Sequence, residues 1–322
     1  MNKVLAAIGE ALIDFIPDRS GCDFDDVSAF SPKVGGAPAN VCAAFSRLGG
    51  TSRLITQLGD DPFGHRIIHE LESVGVDTGC ISLTDKASTA LAFVSLGENG
   101  DRTFSFYRKP SADMLYEQES VKEEYFDDVF ALHFCSVDIG NFPMKQAHKK
   151  AVEIMRGKGG IVSFDPNLRF NLWESREALH SAVHEFIPMS DIVKLSEDEL
   201  EFVTGAKDIS MGAHNLFEQG VKLVLYTCGS KGAYAFTRYT NAYAPSYKVE
   251  AVDTTGAGDG FTGAFLWTLK YICSEREKLE EISTESLTQC LEFANKFCAF
   301  SVQRKGAIAS YPTTDEMQEI KF

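Results

Sequence analysis

The chain has 322 residues and carries 46 acidic against 31 basic side chains, a formal net charge of −15, which argues against nucleic acid or an anionic membrane surface as a general partner, since both need a basic footprint. Hydrophobic residues make up 44% and charged ones 24%, the balance of a globular chain long enough to bury a core without disulfide or metal staples. The eight cysteines are sparse for a disulfide scaffold and, with no Cys-x-x-Cys pair, wrong for a zinc ribbon, which points to reduced thiols in the cytoplasm.

Val4–Ile8 reads as a buried strand; Glu10 and Asp14 interrupt the apolar run too early for a signal-peptide core, and no stretch is long enough to span a bilayer. Residues 15–34 are polar and irregular, with Pro17 and Pro32. Residues 39–48 read as a helix, 52–56 as a strand and 63–74 as a helix. The alternating runs 89–96 and 102–107 flank Asn99-Gly100, a dipeptide suited to a tight hairpin turn. Strands over 131–135, 160–164, 191–194 and 222–226 then alternate with helices over 144–157, 176–186, 197–203 and 212–218. This rhythm predicts one α/β domain over residues 1–322, a three-layer α/β/α arrangement with a mostly parallel central sheet. Residues 15–34 and 88–110 lie outside the rhythm and are read as a small β lid over the sheet, an edge hairpin of the main sheet being the other reading.

The densest chemistry lies late in the chain, in Asp253-Thr-Thr-Gly-Ala-Gly-Asp259-Gly-Phe-Thr-Gly263. Gly256, Ala257 and Gly258 can turn sharply and point successive N–H groups at one spot, where the positive end of the following helix adds its field. Such a cradle suits a phosphate in transfer, and an acid at its lip, Asp259, makes sense as the acceptor of a proton from an attacking hydroxyl. A strained turn with Asp259 as a helix cap is the structural alternative. No P-loop pattern and no dinucleotide fingerprint occur, so phosphate binding must rest on this cradle and on Thr227-x-Gly229-x-x-Gly232.

Several segments together resemble the ribokinase-like (phosphofructokinase-B) family of sugar kinases. They are Gly35-Gly-Ala-Pro-Ala-Asn40, Gln57-Leu-Gly-Asp-Asp-Pro-Phe-Gly64, Asp165-Pro-Asn-Leu-Arg169, Lys194-Leu-Ser-Glu-Asp-Glu199, Thr227-Cys-Gly-Ser-Lys-Gly232 and the Asp253–Gly263 run, in the family's order and over nearly the whole chain. Within the family, Gly9-Glu-Ala-Leu-Ile-Asp14 and the Asp165–Arg169 segment look most like bacterial and plant fructokinases.

The resemblance implies an ATP-dependent sugar kinase with Mg²⁺, most similar to enzymes that phosphorylate D-fructose at its 6-hydroxyl, with Asp259 as general base. A kinase for 2-keto-3-deoxygluconate or a small riboside is the nearest alternative. A non-catalytic regulatory relative is the rival from another class, and the intact cradle and Asp259 argue against it. For the sugar side the resemblance implies Asp14, Gly35, Gly36, Asn40 and Asp259. Asp14 follows the first strand, and the two glycines allow close backbone approach. Arg169, stiffened by Pro166, can fork onto oxygens. Phe104, Phe106 and Arg108 of the hairpin fit a lid closing over the sugar, although alternate Phe residues also suit plain core. For the nucleotide side the implied residues are Lys194, Ser196, Thr227, Gly229, Gly232, Gly256, Gly258 and Asn295. Glu199 is implied as a support for magnesium through water; Ser196-Glu-Asp-Glu199 also reads as a helix capping box. Oxygens near Asp253 and Thr255 would suit a potassium ion. The lid's other apolar face suits a homodimer.

Overall fold

The computed structural model describes residues 3–19, 21, 24–96 and 102–319; the Asn99-Gly100 tip and Cys22 lie outside them. In β1 (Val4–Ile8) every side chain is buried, Leu5 and Ala7 in the core on one face and Ala6 and Ile8 in the core on the other. A strand apolar on both faces is what a parallel sheet between two helical layers requires. The chain then forms β2 (Leu12–Pro17), β3 (Phe30–Gly35), α1 (Ala37–Arg47), β4 (Thr51–Gly59), α2 (Pro62–Ser73), β5 (Val76–Asp77) and β6 (Ile81–Thr84). β7 (Leu91–Leu96) and β8 (Arg102–Tyr107) precede β9 (Val129–Cys135). Next come α3 (Pro143–Gly157), β10 (Ile161–Asp165), α4 (Arg176–Phe186), β11 (Ile192–Ser196), α5 (Leu200–Thr204), α6 (Ile209–Phe217) and β12 (Leu223–Thr227). β13 (Ala233–Phe236), β14 (Asn241–Ala244), α7 (Ala257–Ile272), α8 (Thr284–Ser301) and α9 (Thr314–Glu319) complete it.

The main sheet runs β14-β13-β12-β11-β10-β9-β1-β4-β5, with β6 also on β4. Its pairs are parallel from β12 to β5 and to β6, and antiparallel at β12–β13 and β13–β14. α1, α7 and α8 supply one core layer, through Val41, Phe45, Phe265 and Leu291. α3 to α6 supply the other, through Met144, Leu179, Val203 and Leu216. β1 has β4 on one side and β9 on the other. Successive connections therefore diverge at its carboxyl end, the kind of point where open α/β sheets hold ligands.

β3-β2-β7-β8 form a second, four-stranded sheet, so the 89–107 hairpin is not an edge of the main one. Residues 15–34, read as part of a small β lid, contain the end of β2 and most of β3, antiparallel to each other. Pro32 lies on β3, an edge strand where a missing N–H is tolerated, and Pro17 closes β2. Register sets Asp14 beside Ala92 and Ala92 beside Phe106, so these side chains share one face. Phe15 sits beside Phe93 on the opposite face, their rings stacked at 4.7 Å. α5 starts at Leu200 rather than at Glu197 because Glu199 Oε2 accepts from both Ser196 N–H (2.9 Å) and Ser196 Oγ (2.8 Å), holding residues 196–199 as a turn. That is one half of a capping box: the hydroxyl is spent on the carboxylate instead of a helix N–H.

Candidate active site

α7 begins in the glycine-rich bend. Gly256 takes a left-handed φ of +70°, and a Cβ there would lie 2.5 Å from Ala307 Cβ and 2.6 Å from Tyr311 Oη. Tyr311 Oη donates to Gly256 O at 2.8 Å, so the bend is fastened from behind. Asp253 Oδ1 accepts from Thr255 N–H (2.8 Å) and Oγ1 (2.6 Å), and its Oδ2 accepts from Gly306 N–H at 2.8 Å. The first amides of a helix have no acceptor inside it. That of Ala257 donates to Thr254 O at 3.2 Å, whereas those of Gly258 and Asp259 have no acceptor among the described residues. The open end of the helix field thus falls at Gly258 and Asp259.

Asp259 is half-buried in the first turn of α7, and its Oδ2 accepts from Asn40 Nδ2 on α1 at 2.9 Å. Burial raises its pKa above the usual carboxylate range, against the Asn40 hydrogen bond and the positive charges of Lys194 and Arg169. Lys194, on β11, is buried; it donates to Asp165 Oδ2 at 2.9 Å and stands 3.1 Å from where a Cβ on Gly258 would lie. Burial pushes the Asp165 carboxyl up to about 6, with the Lys194 ammonium opposing. The lysine is held charged against its own burial by Asp165 and Glu199. Glu199 Oε1 accepts from Leu168 N–H at 2.8 Å, which ties the Asp165–Arg169 loop to the end of β11. Arg169 Nη1 donates to Leu168 O at 3.1 Å within that loop.

Residues expected on the sugar side gather where β1 hands over to the second sheet. A Cβ on Gly35 would collide with Asp14 Oδ2, and one on Gly36 (φ +104°) would lie 2.5 Å from Glu10 O. Glu10 Oε1 accepts from Ala37 N–H at 2.9 Å and so caps α1. Burial raises its carboxyl to about 7. Arg108 leaves β8 buried, with Asp113 and Asp138 on its guanidinium.

Two cavities flank these groups. One of about 300 Å³ is lined by Thr227, Gly229, Gly232, Ala257, Gly258 and Asn295, which brings most of the expected nucleotide residues to one wall. Asn295 there donates to Ala244 O at 2.9 Å and Pro245 O at 3.2 Å. The other, about 720 Å³, is bordered by Phe104, Phe106, Arg108 and Trp173, and by none of Asp14, Asn40 and Asp259. The smaller cavity is the one that opens on the cradle, through Ala257 and Gly258. Among the described residues no group of three or more His, Cys, Asp or Glu is arranged to hold a metal, and no helix is long and apolar enough to cross a membrane.

Sequence reasoning gave no role to Glu10, Asp113, Asp138, Asp165 or Tyr311. Glu10 and Asp165 had a signal: an acid at the carboxyl end of a strand that is apolar on both faces. The partners of Arg108 had none, since Asp138 lies 30 positions away.

"Fructokinase-1" of Zea mays is 40% identical over 320 residues, spanning 99% of this chain and 98% of that protein. The crystal structure of a fructokinase with bound ATP from Xylella fastidiosa matches with a TM-score of 0.90 at 33% identity, over 99% of this chain and 98% of that one. A double-mutant fructokinase of Vibrio cholerae O395, solved with fructose, ADP and a potassium ion, matches with a TM-score of 0.85 at 30% identity, over 98% and 97% of the two chains. The model of the pfkB family of carbohydrate kinases matches residues 2–314, and with that span, this fold and a glycine-rich bend carrying Asp259, the chain belongs to the pfkB family of carbohydrate kinases.

Proposed function

We propose that this chain is an ATP-dependent fructokinase that transfers the γ-phosphoryl group to the 6-hydroxyl of D-fructose, with Asp259 as general base. The carrying observation is Asp259 itself, in the first turn of α7, hydrogen-bonded by Asn40 and flanked by Lys194 and Arg169. Fructose as acceptor is supported by the fructokinases among the relatives.

In this reading the C6 hydroxyl gives its proton to Asp259 as its oxygen bonds to the γ-phosphorus. The bond from that phosphorus to the β–γ bridging oxygen breaks, and ADP leaves with the electron pair. The amides at Gly256, Ala257 and Gly258 face the charge that gathers on the moving PO₃ group, that of Ala257 being the one already bonded within the bend. Lys194 adds positive charge beside them, and Asp165 keeps that lysine in place. Thr227, Gly229, Gly232 and Asn295 line the nucleotide's cavity, and Ser196 serves it indirectly by fixing Glu199. Asp14, Gly35 and Gly36 hold the sugar, Phe106 and Arg108 border it from the lid, and Arg169 steadies the reacting end.

Magnesium, when bound, neutralises the phosphates. Both Glu199 oxygens already accept protein hydrogen bonds, which fits contact with the metal through its water shell only. The Asp253 and Thr255 oxygens suit a hard monovalent ion such as potassium. The free thiols among the described cysteines agree with a reducing cytoplasm.

The test is ATP turnover against a panel of sugars, with Asp259→Asn alongside. Fructose should give the highest kcat/KM. The variant should fold and bind ATP as before while turnover drops by about 10²–10⁴-fold, the range for loss of a general base. Near-normal turnover by Asp259→Asn would refute the base assignment, and a better sugar than fructose would refute the acceptor.

A further inference from the structure

β8 is the outer strand of the second sheet and pairs with β7 alone. An edge of that kind leaves carbonyls without a strand partner. Phe104 O of β8 accepts instead from a side chain of the main body, Asn171 Nδ2, at 3.0 Å.

Asn171 is fixed from the body's side. It lies in a single turn, Phe170–Leu172, closed by Leu172 N–H on Arg169 O at 2.9 Å and by Trp173 N–H on Phe170 O at 3.2 Å. The Phe170 ring meets Phe202 of α5 edge-on at 5.1 Å, with the Arg176 guanidinium 4.1 Å from its centre. On the other side of Arg169, Leu168 N–H is held by Glu199. Both neighbours of Arg169 are therefore tied to the main body, and the Asn171 amide reaches from that fixed turn to the second sheet.

The strand it reaches is the one that faces the acceptor. Phe104 and Phe106 lie two residues apart on β8, so their side chains share a face, and their rings stack at 5.7 Å. Register through Ala92 makes that the face of Asp14. Arg169, two residues before Asn171, brings its positive charge to Asp259. One exposed amide thus joins the strand that borders the sugar to the turn that serves the reacting hydroxyl.

We propose that Asn171 is a positioning residue for the acceptor: its amide seats β8 against the Arg169 turn and so fixes how far Phe106 stands from Arg169 across the sugar. The inference rests on the fructokinase reading, in that the second sheet is taken as the lid over the acceptor.

Steady-state turnover, with KM measured separately for fructose and for ATP, tests this. Asn171 is exposed, so its substitution leaves the core intact. Asn171→Ala removes the donor and should raise the fructose KM by about fivefold, the scale of one hydrogen bond. Its kcat and ATP KM should stay within about twofold of the parent, because an interaction kept from bound sugar to transition state changes KM alone. Asn171→Asp has the same shape but, when ionised, only accepts; set against Phe104 O, it should raise the fructose KM at least as far. Asn171→Gln keeps an amide donor and should bring the fructose KM back towards the parent. A residue that merely held the turn together would give another pattern, because the same turn is tied to Glu199 on the nucleotide side, and its collapse would raise the ATP KM in step with the fructose KM. That joint rise overturns the proposal. So do an unchanged fructose KM in both Asn171→Ala and Asn171→Asp, and an Asn171→Gln no better than Asn171→Asp. If another sugar proves a better acceptor than fructose, the fructokinase reading fails, and the same KM split measured with that sugar decides the role of Asn171.

Discussion

As the proposed base, Asp259 is set two opposed tasks: it must be ionised to take a proton, and it sits where burial favours the neutral acid. Asn40 resolves part of the conflict, because an amide N–H bonded to a carboxylate stabilises the charged form. Lys194 and Arg169 supply the rest through space. Burial still wins, so the folded pKa lies above the usual carboxylate range. A base with a raised pKa loses function as pH falls through that raised value, so the acid limb of kcat/KM should lie higher than for an ordinary aspartate. Asn40→Ala removes the hydrogen bond and leaves burial in place. It should push the acid limb to still higher pH and lower kcat/KM at neutral pH. A pH profile of the two proteins decides, and an acid limb that stays put in Asn40→Ala would mean that Asp259 is not the titrating group.

The Asn40–Asp259 bond exists only because α1 and α7 lie almost in backbone contact. Gly263, one turn along α7, makes that possible: a Cβ there would lie 2.7 Å from Ala44 Cβ and 2.8 Å from Val41 O. The obstacle is backbone and a methyl rather than the end of a flexible chain, so the helices must separate to admit it. Gly263→Ala should cost about 1–3 kcal/mol, the usual range for overpacking a tight contact, partly offset by the better helix propensity of alanine. It should also lower kcat by drawing Asn40 off Asp259. Urea unfolding and turnover test both parts, and a variant as stable and active as the parent would show that the contact has slack. The same elements show which features the sequence could reveal. β1, β9, β10, β11 and β12 were readable because burial on both faces leaves mostly apolar runs. Asp253–Gly263 was readable because its glycines and acids are adjacent. β3 was hidden by Pro32, and the pairs that assemble the site were hidden by separation: Asn40 meets Asp259 across 219 positions, and Lys194 meets Asp165 across 29. No local period records such meetings. Only the packing of whole helices and strands creates them.

At the scale of the molecule, the lid leaves an apolar face uncovered. Phe15, Phe93, Phe30, Phe24 and Tyr107 form a connected run of rings on the side away from Asp14, with centroid separations of 4.7 to 6.3 Å. Phe63 of α2 covers the Phe15 end, but Tyr107 is 63% exposed and Phe24 45%. A clustered aromatic surface of this kind marks an interaction site, and a second copy of the lid is the proposed partner. Each copy brings a net charge of −15, so the apolar contact must overcome mutual repulsion at long range. Salt screens that repulsion and leaves ring burial intact. Sedimentation velocity should therefore show a dimer that tightens between low salt and about 0.2 M, where the Debye length falls below about 8 Å. Tyr107→Lys, a charge set into the exposed end of the ring cluster, should return the monomer without unfolding it. A dimer that loosens as salt rises would mean that ion pairs hold the copies together, and a Tyr107→Lys protein that still dimerises would put the contact on another face.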